Sequence, residues 1–206
     1  GYPGEARTGA AAQLDLFPEA WPIVVPSGSC AGMMVHHWPR LFAEDPARLA
    51  KARDIGARVV EFSTFARDVL GLGARLAAAP SSRPVKVALH TSCSARREMG
   101  VHVPSRALLE ALPGVEVVAQ AREAECCGFG GTFSARHPAI SGAMVEDKLA
   151  SVRDAGAEVL VSADCGCLRN LHHAARKRGG CAAGEPRCVH LGSFLRERLG
   201  LPGAAQ

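Results

Sequence analysis

The chain is short of aromatic residues, of charge of one sign and of long apolar runs. Phe, Trp and Tyr make up only 5% of its 206 residues. No apolar run approaches the roughly 20 residues needed to span a bilayer, so no transmembrane segment is expected. Lys and Arg number 24 against 20 Asp and Glu, and the resulting +4 is interspersed along the chain. Nucleic-acid binding usually asks for a basic stripe, so no nucleic-acid partner is expected. The opening Gly1-Tyr2-Pro3-Gly4-Glu5 has neither a Met nor the charged-then-apolar layout of a signal peptide. There is also no Ser/His/Asp triad, paired-carboxylate or His-Glu-x-x-His pattern, and hence no group suited to taking a hydride or proton from an organic acid. With 48% hydrophobic and 21% charged residues, a disordered tail, a collagen-like fibre and a coiled coil are excluded. The length suits one or two domains with a real core.

What the chain does have is alternation. Ile23-Val24-Val25, Val85–Leu89, Val115–Val118, Val159–Val161 and Cys188–Leu191 read as buried strands of the parallel type. Helices are expected at Pro46–Ala57, at Phe62–Leu70 with Ser63 as N-cap, and at Pro104–Leu112. Three more are expected at Pro138–Ala155, Leu168–Arg178 and Ser193–Leu199. The fold class that follows is α/β with small parallel sheets. The Gly, Ala, Pro and Ser content of Gly71–Pro84 reads as a linker.

An internal repeat organises these elements. Val60–Gly71 aligns with Val189–Gly200, with identities at Val60, Phe65, Arg67, Leu70 and Gly71. Upstream, Val24–Cys30 followed by His36-His37 aligns with Val161–Cys167 followed by His172-His173, which matches Cys30 to Cys167. The two offsets differ by eight residues, placing an insertion around Leu41–Asp54 in the first copy. Counterparts of Cys93 and Cys126-Cys127 would fall before residue 1. The expectation is therefore two repeated strand–helix modules. Residues 1–75 would form the C-terminal part of a first, N-terminally truncated module, and residues 84–201 a whole second one.

Eight cysteines, at 30, 93, 126, 127, 165, 167, 181 and 188, carry the chemistry. Adjacent Cys126-Cys127 and closely spaced Cys165 and Cys167 are awkward for disulfides, which favours metal or redox roles. Cys93, Cys126-Cys127 and Cys165/Cys167 each follow an expected strand. In an open parallel sheet the carboxyl ends of strands converge on one crevice. Soft thiolates there select iron–sulfur clusters, zinc or copper(I). Gly128, Gly130 and Gly131 allow close backbone approach and an inward-facing nest of N–H groups suited to an anionic cluster. Spacing alone leaves tetrahedral zinc open, as well as thiol–disulfide exchange.

At these residues the sequence resembles the duplicated cysteine-rich (CCG) domain proteins, and within them the lactate-utilisation protein A branch. The matching segments are Val25–Met33, His90-Thr91-Ser92-Cys93 and Glu125–Ser134, with its Cys-Cys-Gly-Phe-Gly-Gly core. Glu146–Leu149, Val161–Asp164 with Cys167-Leu168, and His190-Leu191 also match. The resemblance implies an iron–sulfur electron-transfer subunit with a 4Fe–4S type cluster, working in the cytoplasm. It would act with ferredoxin-like and other soluble subunits in oxidising L-lactate to pyruvate. Glycolate and glycerol-3-phosphate systems share the module. On this reading Cys93, Cys126, Cys127 and Cys167 are cluster ligands, and Cys30 belongs to the equivalent site of the first module. The wider family often ends in Cys-x-x-Cys, which would put cysteine at 164. Here Asp164 stands there and Cys165 follows as an extra candidate ligand.

His90 could hydrogen-bond a cluster sulfur, or be a satisfied buried histidine. The pairs His36-His37 and His172-His173 read as polar helix surface or subunit contact. Arg96-Arg97 and Glu146-Asp147-Lys148 read as exposed helix faces. Cys188 reads as a core residue and Cys181 as an exposed-loop thiol.

Overall fold

Short valine-bearing runs, too brief for helices, form the six strands among the described residues, and the Ala-, Leu- and Arg-rich stretches between them form the helices. The structure is a computed structural model that describes residues 2–80 and 83–202. Gly1 and the Ser81-Ser82 part of the expected linker lie outside the described residues.

The first part begins with α1 (Pro3–Leu14), β1 (Ile23–Val25) and α2 (Gly28–Gly32). A wide π turn over Met33–His37 carries α2 into α3 (Trp38–Leu41), and α4 (Pro46–Arg58) runs straight into β2 (Val59–Glu61). Asp45 caps α4 by accepting from Arg48 N, and Pro46 occupies its first turn, where no N–H is missed. α5 (Phe62–Thr64) continues through a second π turn over Phe65–Val69 towards α6 (Leu72–Ala77). Two expectations are corrected here. The helix after β2 is capped not by Ser63 but by the buried Glu61 carboxylate, which accepts from Ser63 N and Thr64 N. Much of the Gly71–Pro84 linker is helix, because Leu76 finds a fully buried place in the second part's core.

The second part contains β3 (Val85–Leu89), α7 (Cys93–Met99), α8 (His102–Glu110) and β4 (Val115–Val118). It continues with α9 (Thr132–Arg136), α10 (Pro138–Asp154), β5 (Val159–Ser162), α11 (Cys165–Lys177), β6 (Arg187–His190) and α12 (Leu191–Arg198). Its four strands are parallel in the order β4-β3-β5-β6, while β1 and β2 form a separate parallel pair. Leu108, Leu109, Phe194 and Leu195 pack on one face of the larger sheet. Val145, Leu149, Leu171 and Ala175 pack on the other. The first part has its own core around Trp38, Phe42, Ala52 and Ile55. The molecule is thus α/β, with helices covering both faces of a small parallel sheet.

The repeat is carried into strand register. Val24 pairs with Val60 in the first sheet, and their counterparts Val161 and Val189 pair in the second. The capping roles correspond too: Glu61 closes the start of α5, and His190 closes the start of α12 by accepting from Gly192 N.

Two polar links join the parts. Asp164 Oδ1 accepts from Ser27 Oγ at 2.9 Å, Ser29 Oγ at 2.5 Å and Ser29 N at 3.1 Å. His190 Nε2 lies 3.0 Å from Pro26 O and 3.1 Å from Ala163 O. Packing is close between these contacts: a Cβ on Gly28 would stand 2.5 Å from Ala95 Cβ on α7.

Candidate metal centre

The strand order of the larger sheet reverses between β3 and β5, since the connections from these parallel neighbours run to opposite edges. Such a switch point opens a crevice at the carboxyl ends of the strands. His90 leaves β3 at that place, with its N–H donating to Val161 O of β5 at 2.8 Å. Ser92 caps α7 by accepting from Ala95 N, which puts Cys93 at the first helical position. From β5 the chain enters α11 three residues earlier than expected, so Cys165 and Cys167 both lie in its first turn. The loop after β4 brings in Cys126 and Cys127.

His90, Cys127 and Cys167, all buried, place their ligand atoms within 4.8 Å of one another. Cys126, beside them in the chain, lies within hydrogen-bonding reach of Cys93. The second part therefore gathers Cys93, Cys126, Cys127, Cys167 and His90 at one strand-end crevice. Cys30, in α2, and Cys165 are exposed and stay outside the buried group. Cys188 is half-buried in β6, and Cys181 is exposed in a 3-10 turn over Gly180–Ala183.

The surroundings favour negative charge on sulfur. The neighbouring Cys167 thiol holds Cys127 well below the usual range against the opposing effect of burial, and His90 adds in the same direction. The closeness of Cys127, together with burial, pushes Cys167 up. Burial pushes Cys126 up, opposed by the N–H of Gly128, which donates to Cys126 Sγ at 3.3 Å. Gly128, Gly130 and Gly131 all have positive φ. A side chain at Gly128 would also come 2.6 Å from Ser141 O, so this turn requires glycine twice over. Asn170 fixes the same loop by donating to Cys127 O at 2.9 Å.

His90 is completely buried, and among the described residues neither ring nitrogen has a hydrogen-bond partner. Leaving a buried polar group unpaired costs about 1–3 kcal/mol. An imidazole in that state beside the thiols of Cys127 and Cys167 fits a thiophilic metal centre, where it can ligate metal or donate to a bound sulfide.

The matched family model, "Cysteine-rich domain" (CCG), covers residues 87–172, the stretch that contains this crevice. Lactate utilization protein A 1 of Bacillus mycoides is 42% identical over 175 residues, covering 83% of this chain and 68% of its own length. Lactate utilization protein A of Geobacillus kaustophilus is 36% identical over 201 residues, covering 96% and 79%. The chain belongs to the lactate utilization protein A family. The Bacillus subtilis family member is 37% identical over 174 residues, covering 83% and 70%. As a family member with a cysteine-rich domain and a buried His/Cys/Cys group, the chain has the arrangement of a metal-binding protein. Among the described residues no helix is long and apolar enough to cross a membrane.

Residues around the crevice also have roles that sequence reasoning missed. Lys148, read as part of an exposed face, is 1% exposed. Its Nζ donates to Arg122 O, and to Glu123 O at 3.4 Å, tying the cysteine loop to α10. The Glu-Asp-Lys run hid it, because nothing local distinguishes a lysine that reaches buried carbonyls. Asp164 stands where a further cysteine was expected and instead clamps Ser27 and Ser29. Arg96 is not free to face solvent: with Arg106 it holds Glu123 at 3.1 and 2.7 Å.

Proposed function

We propose that this chain is the iron–sulfur electron-transfer subunit of a complex that oxidises L-lactate to pyruvate. The observation that carries the reading is the convergence of Cys93, Cys126, Cys127, Cys167 and the unpartnered His90 at one switch-point crevice. The four cysteines would hold a 4Fe–4S type cluster, which when bound supplies one-electron storage. The relatives' name, lactate utilization protein A, supplies the substrate. The chain's own groups suit a relay. Phe129 and Gly128 direct backbone N–H groups at sulfur, and the Lys148 ammonium lies close enough to Cys127 to favour its charge. Soluble iron–sulfur partner subunits, in a cytoplasmic setting, would carry the chemistry on lactate itself.

Zinc is the second reading. His90 with Cys127, Cys167 and one further thiol makes a His/Cys3 set, which suits a tetrahedral structural site. Cys30 and Cys165 are candidate ligands outside the buried group.

Anaerobic purification with iron, sulfide and zinc analysis and visible absorption distinguishes the two. The first reading expects a brown protein that loses its absorption on Cys127→Ser and keeps it on Cys181→Ser. A colourless protein loaded with zinc that takes up no cluster on reconstitution would end it.

A further inference from the structure

Beside the cysteine crevice, the outer face of α11 is basic. Arg169, His172, His173, Arg176 and Lys177 recur at helical spacing and are all exposed, whereas Leu171, Ala174 and Ala175 are buried on the other side. Arg178 pairs with Glu146. Among the described residues Arg169, Arg176 and Lys177 make no ion pair. The five basic residues line an open groove of about 820 Å³ together with Phe129, Ser134 and Asn170, and no carboxylate among the described residues lines it.

The groove touches the cysteine crevice directly. Phe129 packs so closely on Gly166 that a Cβ there would come 2.5 Å from the ring, and Gly166 lies between Cys165 and Cys167. Asn170 lines the groove and also donates to Cys127 O.

We propose that this groove docks an acidic electron-carrier protein over the cysteine crevice. The proposal rests on the electron-transfer reading above. From Arg169 to Lys177 the charges run about 12 Å along the helix, at roughly 1.5 Å per residue. A single carboxylate cannot span that distance, whereas several carboxylates on a protein surface can. Phe129 is the one large apolar group in the lining, so the contact is dominated by charge. Such contacts give fast, salt-sensitive, short-lived association, as electron transfer between soluble proteins requires. In each encounter one electron passes between the two centres. One is oxidised as the other is reduced, and no bond is made or broken.

The test uses the intact chain and a strongly acidic 2Fe–2S ferredoxin as probe, with binding followed calorimetrically at low and high salt. Arg169→Glu, Arg176→Glu and Lys177→Glu are combined in one variant. Arg40→Glu, Arg53→Glu and Arg75→Glu, exposed in the first part of the chain, form a control of equal charge change. The expected result is salt-sensitive binding by the wild type, weakened about ten-fold or more at low salt in the groove variant and much less in the control. Equal weakening in both variants, or none in the groove variant, overturns the proposal. So does a groove that takes up lactate or citrate but not the ferredoxin, which would mark it as a small-carboxylate site. Binding is read without reference to any cluster. A chain that takes up no cluster on reconstitution yet still binds through the groove would sink the iron–sulfur reading and leave the docking surface standing.

Discussion

A lysine ammonium tolerates burial when carbonyl oxygens surround it, and Lys148 is held in this way by Arg122 O and Glu123 O. Burial pulls its pKa below the usual lysine value. Lys148→Met keeps the aliphatic stem but leaves both carbonyls without this donor. The expected loss is about 1–3 kcal/mol of unfolding free energy, read as a lower urea midpoint at unchanged m-value. Glu61 is a second buried ion, 1% exposed with Oε1 unpartnered. Burial raises its pKa, with nearby Asp164 adding to the rise. The unfolded chain therefore gives up this proton at lower pH than the folded one. Between the ordinary glutamate value and Glu61's raised value the folded state binds more protons, and stability falls as pH rises. Glu61→Gln keeps an acceptor for Ser63 N and Thr64 N. The stability difference between variant and wild type should be small in acid and should move in the variant's favour across that window. Urea midpoints measured across the pH range check this.

At the scale of elements, two glycines make opposite predictions. Gly28 lets α2 press against α7, so Gly28→Ala forces a Cβ to within 2.5 Å of Ala95 Cβ. Overpacking of this kind costs about 1–3 kcal/mol. Gly73 lies within α6, with nothing within 4 Å of a built Cβ. Gly73→Ala should therefore stabilise by about 0.4–1 kcal/mol. Thermal unfolding of the two variants should shift the midpoint in opposite directions. The β-branched strand runs were legible because a short apolar run bounded by turn residues has few other readings. β2 was not: it is three residues long and follows α4 without a turn. Nor was α6, because glycine, alanine and serine composition reads as linker while Leu76 supplies a core contact that composition does not show. Of the crevice, the cysteines were legible from their places after strands and a buried His90 was one of two readings, whereas the depth of Lys148 was not legible, because burial is decided by distant segments.

At the scale of the whole molecule, Asp164 matters more than any single strand. Its Oδ1 gathers two hydroxyls and an N–H from the first part of the chain. Asp164→Ala leaves Ser29 N and both hydroxyls without that acceptor. A loss of about 1.5–3 kcal/mol is expected for hydrogen bonds to a charged group. Amide exchange should rise first over Ser27–Ala31, while β3 and β5 keep their protection. Equal loosening of both parts would mean that they unfold together whatever joins them.

The crevice draws Cys93, Cys126-Cys127 and Cys167 from three different strand-to-helix connections. None of these segments can assemble the set alone, because each is separated from the next by two helices and a strand. The thiols become neighbours only once β4, β3 and β5 have found their order. On the proposed function, metal capture would thereby be linked to completion of the sheet: a nascent or damaged chain would offer scattered thiols of low affinity, and a finished one a chelate. By mass action the loaded form gains stability in proportion to how poorly the unfolded chain competes for the same metal. Retention of the centre is thus a gauge of structural integrity, and stripping it should lower the unfolding midpoint of the larger sheet before it disturbs the β1–β2 pair.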